Sequence, residues 1–468
     1  MGKFPKSIPY IIGNEAAERF SFYGMKAILT LYLIQGFTFS EALANEKTHL
    51  FVALAYLFSI VGGTLADWFW GKYKTILYLS LIYCAGHLCL ALFDKNLDGF
   101  MFGLLLIVIG SGGIKPCVSA NVGDQFDKTN QHLISKVFSL FYFSINLGAF
   151  VSSLLIPVIL VRYGPALAFG IPGILMGIAT ILFWLGRNKY VKVPPTGFKK
   201  ENFLAISFYA LANFKKKKSS QSLLDIALNK YSIESVENIK SVWRVLIIFA
   251  FIPVFWALYD QNGSEWVIQA SQMDLSFMGK TWLPAQIQAI NPILILTFIP
   301  LFSFVIYPGI EKLGIKVTSF RKIGAGLILT AISFIIIAGI QEKIDHGQTP
   351  NIAWQLLAYT IITAAEILIS ITGLEFAYTQ APKSMKSTLM AFWLLTIFVG
   401  NIFVSQINSS KENHGFFSTL TGADYYWFFF WLMIGFIIIY LFVAKTFKET
   451  PSQNFIKDDL NKIEDHVY

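Results

Sequence analysis

Charge is scarce in this chain. Asp, Glu, Lys and Arg together make up 14% of the residues, against roughly 25% in soluble domains, and that scarcity excludes a fold covered by water on all sides. Cysteine is scarcer still. Cys84, Cys89 and Cys117 all fall inside apolar runs, with no spacing that suits a disulfide framework or a zinc site, so they read as small packing residues. No residue pattern points to a metal, a cofactor or enzymatic chemistry. The first hydrophobic stretch follows only Lys3 and Lys6 and lacks a small-residue cleavage site, so it is expected to be a retained span and not a signal peptide.

Hydrophobic residues, in contrast, reach 55% and aromatics 16%. Apolar runs long enough to cross roughly 30 Å of hydrocarbon recur along the whole chain. The runs predict twelve spans, at 9–37, 48–67, 74–93, 98–121, 135–161, 166–187, 242–261, 282–307, 320–340, 352–377, 387–408 and 424–446. The net charge of +9 does not point to nucleic acid, because the basic residues cluster in alternate loops. Lys72 and Lys74, Lys128 and Lys136, Arg187 to Lys240, Lys312 to Lys322, Lys383 and Lys386, and Lys445 to Lys462 share one side. The intervening loops carry about one each: Lys47, Lys95, Arg162, Lys280, Lys343 and Lys411. By the positive-inside rule both termini are then cytoplasmic.

Six spans lie on each side of one polar break. This divides the chain into a first bundle (1–187), a connector (188–241), a second bundle (242–448) and a tail (449–468). Within the connector, ENFLAISFYALANFKKKK (201–218) places Phe203, Ile206, Tyr209 and Phe214 near one helical face and ends in a basic cluster. That pattern suits an amphipathic helix on an anionic membrane surface; a solvated linker is the alternative. Two pseudo-symmetric bundles with a site between them is a secondary-transporter layout, although channels and membrane enzymes also reach twelve spans. The loop GGTLADWFWGKYK (62–74) adds small residues that permit close helix approach, followed by Asp67, Lys72 and Lys74.

An ionised side chain at the centre of a span costs roughly 2.5–3.5 kcal/mol on insertion scales, so each one in this chain invites a function. In the first span, at about 100° per residue, Glu15, Arg19, Phe22 and Lys26 fall within roughly 60° of one another, with Glu18 and Tyr23 to either side. The charges form one stripe facing away from lipid. An ion-pair ladder that only joins helices is the bland alternative, but apolar residues would serve packing better. The fourth span adds Lys115 beside Pro116, which removes a backbone donor. The tenth adds Glu366, the seventh Asp260, and otherwise apolar spans carry Asn146 and Asn291. The resulting cavity is bipolar, with Arg19, Lys26 and Lys115 at one end and Glu366, Asn146 and Asn291 at the other. A zwitterion of matching length fits it. His49, opening the second span, belongs to the one residue type that ordinarily titrates near physiological pH; a surface or capping role is the alternative.

The segment 62–74 resembles the cytoplasmic loop motif of the major facilitator superfamily. NEAAERFSFYG (14–24), KPCVSANVGDQF (115–126), FWALYDQNGSEW (255–266) and ITGLEFAYTQAPKSMKS (371–387) strongly resemble the proton-coupled oligopeptide transporters, a branch of that superfamily, over nearly the whole chain. Within the family, HLFVALAY, with His49 seven residues before Tyr56, and a connector without room for an extra helix pair resemble the animal members. The resemblance implies an all-α integral membrane protein of major facilitator fold, with twelve helices in two six-helix bundles. It also implies proton-driven uptake of dipeptides and tripeptides across the plasma membrane by alternating access, with protons and the bilayer as the other partners, no cofactor, and a functional monomer.

Position by position, the resemblance gives Glu15 and Glu18 to proton coupling, with His49 as a candidate relay, and Arg19 with Lys115 to the peptide carboxylate. Glu366, aided by Asn146 and Asn291, would hold the amino terminus, and Tyr23, Tyr56 and Trp256 would line the pocket. Lys26–Asp260 matches a pair that closes the outer gate, and Lys115–Glu366 a pair that links the bundles. Three departures stand out. The usual tyrosine pair is Phe22–Tyr23, Ser303 replaces the aspartate expected to partner Arg244, and QEKIDHGQTPN (341–351) leaves no room for the extracellular domain of animal members. Family members that carry nitrate or another small solute, and a non-transporting receptor, are the rival readings.

Overall fold

The computed structural model describes residues 4–127, 130, 133–195, 197, 201–216, 222–380 and 385–446. Lys3, Lys128, Lys383, two lysines of the 215–218 run and the tail 449–468 lie outside the described residues. The chain is almost entirely helical because its long apolar runs must satisfy their own backbone groups in lipid. The first six spans are α1 (Ile8–Phe37), α2 (Glu41–Leu65), α3 (Lys72–Leu92), α4 (Leu97–Gly123), α5 (Ile134–Tyr163) and α6 (Pro165–Leu185). Their ends are set locally. The Ser40 side chain caps α2 by accepting from the Leu43 N–H, and the Asn96 side chain caps α4 by accepting from Gly99. α5 turns into α6 at Gly164, whose φ of 86° disfavours a side chain, and Pro165 then presets the first helical φ.

After the connector helix α7 (Phe203–Ala212) come α8 (Ile233–Phe249), α9 (Ile252–Tyr259) and α10 (Glu265–Ser271), then α11 (Ile290–Leu301) and α12 (Tyr307–Lys312). The last four are α13 (Ser319–Asp345), α14 (Ala353–Gln380), α15 (Lys386–Glu412) and α16 (Ala423–Thr446). Ten helices among the described residues are long and apolar enough to cross a membrane, and α8 with α9–α10, bent by 42°, makes an eleventh. The twelfth is α1, whose 30 residues suffice in length but carry four charges. The seventh span differs from the expectation of 242–261. It starts at Ile233, where the Ser232 side chain accepts from the Ser235 N–H, and it bends near Pro253, which has no N–H to give.

Among the described residues two large apolar cores result, one drawn from Ile8 to Tyr190 and one from Phe203 to Tyr440, with a small third at Phe302, Ile367 and Leu368. Close approach within the first depends on glycine. A Cβ on Gly62 would lie 2.2 Å from the Gly113 Cα, so α2 and α4 cross backbone to backbone, as the small residues of the 62–74 segment suggested. Residues 346–352 join α13 to α14 directly, tied by Asn351 to Asp274 beside a two-residue hairpin (Ser276–Phe277 with Lys280–Thr281).

Candidate functional site

The charged stripe of α1 is buried against α4 and α5. Arg19 Nε donates to Glu15 Oε1 at 2.7 Å and lies 3.3 Å from Glu18 Oε2, while Ser111 Oγ of α4 donates to Glu18 Oε1 at 2.8 Å. Gly112 allows α4 to reach Ala55 of α2, since a Cβ there would meet the Ala55 carbonyl at 2.5 Å. Lys115, one turn below, thereby reaches the same space. Its Nζ sits 3.5 Å from the centre of the Phe22 ring and 4.8 Å from that of Tyr56, with no hydrogen-bond acceptor; Glu15 Oε2 is likewise buried without a donor. A buried ionic group lacking a full set of partners is expensive to hold. Phe22 is therefore more than a lost hydroxyl: stacked on Phe51, it offers a π face to the ammonium.

Across the interface, Glu366 of α14 accepts at Oε2 from the Tyr259 hydroxyl at 2.8 Å and from Asn291 Nδ2 at 2.9 Å. Asn291 also donates to Thr363 Oγ1 at 3.0 Å, which fixes its amide. Trp256 packs edge-on against Tyr259 and Trp393, and Tyr23 sits edge-on to Phe22. Arg19, Tyr23, Lys26, Tyr56, Lys115, Asn291 and Glu366 are all half-buried, so they line accessible space.

A second polar network closes one end. Lys26 Nζ donates to Asp260 Oδ1 at 3.1 Å, Asp260 Oδ2 accepts from Asn401 Nδ2 at 2.7 Å, and Asn401 Oδ1 lies 2.8 Å from His49 Nδ1. The other His49 nitrogen is 2.8 Å from Ser264 Oγ and 3.4 Å from Glu265 Oε2; Glu265 Oε1 accepts from Tyr425 at 2.7 Å and from Asn408 at 3.1 Å. Ser405 to the Glu46 carbonyl, Gln288 to the Ala27 carbonyl, Gln286 to the Leu154 carbonyl, and Ser40 to Glu412 add further bonds between bundles. These bonds gather on the half opposite the connector. On the connector half, Lys72–Asp124 at 2.7 Å and Lys322–Glu375 at 3.0 Å each stay within one bundle. The structure is thus closed on the face away from the connector.

The expected residues are partly brought together. Glu15, Glu18 and Arg19 form one cluster with Lys115 beside it, Glu366 holds Asn291, and Lys26 meets Asp260. One expected pair is not formed. Lys115 and Glu366 form no ion pair: Glu366 is held by Tyr259 and Asn291 of its own bundle, and the Lys115 ammonium faces the Phe22 and Tyr56 rings. Asn146 donates to the Tyr142 carbonyl of its own helix at 2.9 Å and not to Glu366. His49 is buried between the bundles, which discards the surface or capping alternative. Ser303 lies in a π-helical turn at Phe302–Ile306. Sequence reasoning missed Glu265, Asn401, Asn408, Tyr259 and Tyr425. The signal was present for the first three, a carboxylate and two amides in apolar helices.

Two six-span bundles enclosing half-buried charge define a membrane protein of the major facilitator fold. The chain belongs to the POT family, whose model matches residues 73–427. It is 41% identical over 361 residues to "Peptide transporter family 1" of Drosophila melanogaster, a match covering 74% of this chain and 48% of that protein. It is 38% identical over 393 residues to human "Solute carrier family 15 member 2", covering 80% and 54%. The chain therefore spans about half the length of the curated relatives it matches. Among solved structures it resembles the POT family transporter PepTSo, with a TM-score of 0.89 at 39% identity over 95% of this chain and 99% of that one.

Proposed function

We propose that the chain is a proton-coupled symporter that imports dipeptides and tripeptides by alternating access. One observation carries this reading: cations at one wall of the cavity (Arg19, Lys115) and a carboxylate at the other (Glu366) are not paired with each other. A zwitterion satisfies both walls at once. The peptide carboxylate goes to Arg19 and Lys115 by charge-assisted hydrogen bonds. The amino terminus goes to Glu366, which Tyr259 and Asn291 hold in place. Tyr23, Tyr56 and Trp256 offer aromatic surface that admits many side chains, and Asn146 reaches the peptide once its amide leaves the Tyr142 carbonyl.

The proton adds to a carboxylate of the Glu15/Glu18 pair, and the neutral acid then releases Arg19 for the peptide. His49, joined to Asp260 through Asn401, links protonation to the Lys26–Asp260 gate. The first bundle (1–187) and second bundle (242–448) rock about the occupied site, tied by the connector 188–241. Both termini are cytoplasmic, the membrane is the plasma membrane, and the monomer suffices, with the proton as the only co-transported ion. An inward membrane potential contributes roughly 2.3 kcal/mol per proton per 100 mV.

Uptake of labelled dialanine into proteoliposomes, with and without an imposed acid-outside gradient, tests the reading. Accumulation only with the gradient, abolished by excess unlabelled dipeptide, is expected. Absence of competition by dipeptides would point instead to another small solute or to a receptor.

A further inference from the structure

The connector helix α7 is apolar on every side. Its ten residues, FLAISFYALA, carry no charge. One face packs on the second bundle: Ile206 and Ala210 are fully buried, Phe203 meets Trp243 and Phe392, and Trp243 Nε1 donates to Ser207 Oγ at 3.1 Å. This is the face, at Phe203 and Ile206, that the sequence assigned to the membrane; the structure gives it to protein. The opposite row, Leu204, Phe208 and Leu211, is 74%, 74% and 52% exposed. Phe214 continues it, and Lys215 follows at the helix end.

We infer that this outer row lies in the acyl-chain boundary of the bilayer, making α7 an interfacial helix bound to lipid on one side and to α8 on the other. The level is set by α8. The bond from Trp243 places α7 beside the point where the apolar part of the seventh span begins, and tryptophan is enriched at membrane interfaces. Trp243 and Ile247 are themselves part-exposed on the outside of α8, so the apolar row of α7 is continuous with a lipid-facing surface. Between them is a cavity of about 420 Å³ whose lining mixes apolar Leu211, Leu223, Leu224, Trp243 and Ile247 with Ser207, Ser222, Lys240 and Arg244, the mixture met where acyl chains give way to headgroups. A helix with no polar face is stable only when both sides are covered.

Spin labels on a full-length chain whose three cysteines are replaced by serine, in phospholipid bilayers, test this. A label at Phe208→Cys, and separately at Leu204→Cys, should collide with oxygen several-fold more than with an aqueous nickel chelate, matching a label at the lipid-facing Ile332→Cys. Collisions dominated by nickel, as at a Glu234→Cys control, would overturn it, as would dipolar broadening that places a second copy of the chain on this face. Because a label can disturb packing, Leu204→Glu with Phe208→Glu gives a second readout. Amide exchange across 203–212 should rise at least tenfold while the spans stay protected; unchanged exchange would also overturn the inference.

Discussion

Two clusters of buried charge lie within the same interface and are built differently. In the gate, Lys26, Asp260, Asn401, His49, Ser264, Glu265, Asn408 and Tyr425 form an unbroken chain of hydrogen bonds that crosses between the bundles. In the central cluster, Lys115 Nζ and Glu15 Oε2 have no hydrogen-bond partner, and Glu366 is satisfied within its own bundle. A network that crosses between the bundles stabilises one arrangement of them, whereas a cluster whose charges find no complement in the opposite bundle is a set of groups waiting for a partner. Both are conspicuous in sequence as charges in apolar runs. What separates them is whether the opposite bundle supplies the complement, and only the packed structure contains that information.

The contrast can be broken from the gate side first. Asp260→Asn leaves Lys26 buried without a counter-charge, and removing one partner of such a pair costs about 3–5 kcal/mol. The closed face should lose population, read as a reduced yield of the disulfide between Ser40→Cys and Glu412→Cys in a cysteine-free background. Exchanging the charges, with Lys26→Asp and Asp260→Lys together, should restore part of that yield.

A smaller effect is expected at the central cluster, because Glu366 has neutral donors that remain when its charge is removed. Glu366→Gln should weaken dialanine binding by about 1.5–3 kcal/mol, the range for a hydrogen bond to a charged group. The preference for dialanine over its N-acetylated form should then disappear. Equal loss for both peptides would show that Glu366 supports structure and does not read the amino terminus.

The smallest effect belongs to a half-buried pair outside both regions. Lys240 lies 2.5 Å from Asp225, and this contact, with the Ser222 N–H, holds the Asp225 carboxyl below its ordinary value. Such a depressed carboxylate contributes stability above its unfolded pKa of about 4 and loses it as pH falls through the lower folded value. Asp225→Asn should raise amide exchange in 222–240 by the equivalent of under about 1 kcal/mol at pH 6. The gap between wild type and variant should narrow as pH falls below about 4; a larger gap at pH 3 than at pH 6 would reverse the sign.

Much of this was legible in the residues. The spacing of Glu15, Arg19 and Lys26 on one stripe located the polar wall of α1, and apolar run lengths located the spans. Glu265 was not recognised, although it closes the quoted segment 255–266, because its partners His49 and Tyr425 lie on distant helices. An amide in a span can be satisfied by its own helix, as Asn146 is by the Tyr142 carbonyl, and sequence cannot tell this from a cavity-facing amide such as Asn291. The face of α7 was misassigned since periodicity selects a face only when the other is polar, and α7 has no polar side. The early start of α8 depended on one cap, Ser232, inside a segment whose composition otherwise reads as a linker.

The central claim is that the charges of α1 carry the proton. Glu15→Gln in proteoliposomes tests it most directly, by comparing labelled dialanine accumulated under an acid-outside gradient with dialanine exchanged against an internal pool at equal pH. Loss of gradient-driven accumulation with exchange retained is the expected result; accumulation at the wild-type level would contradict the account.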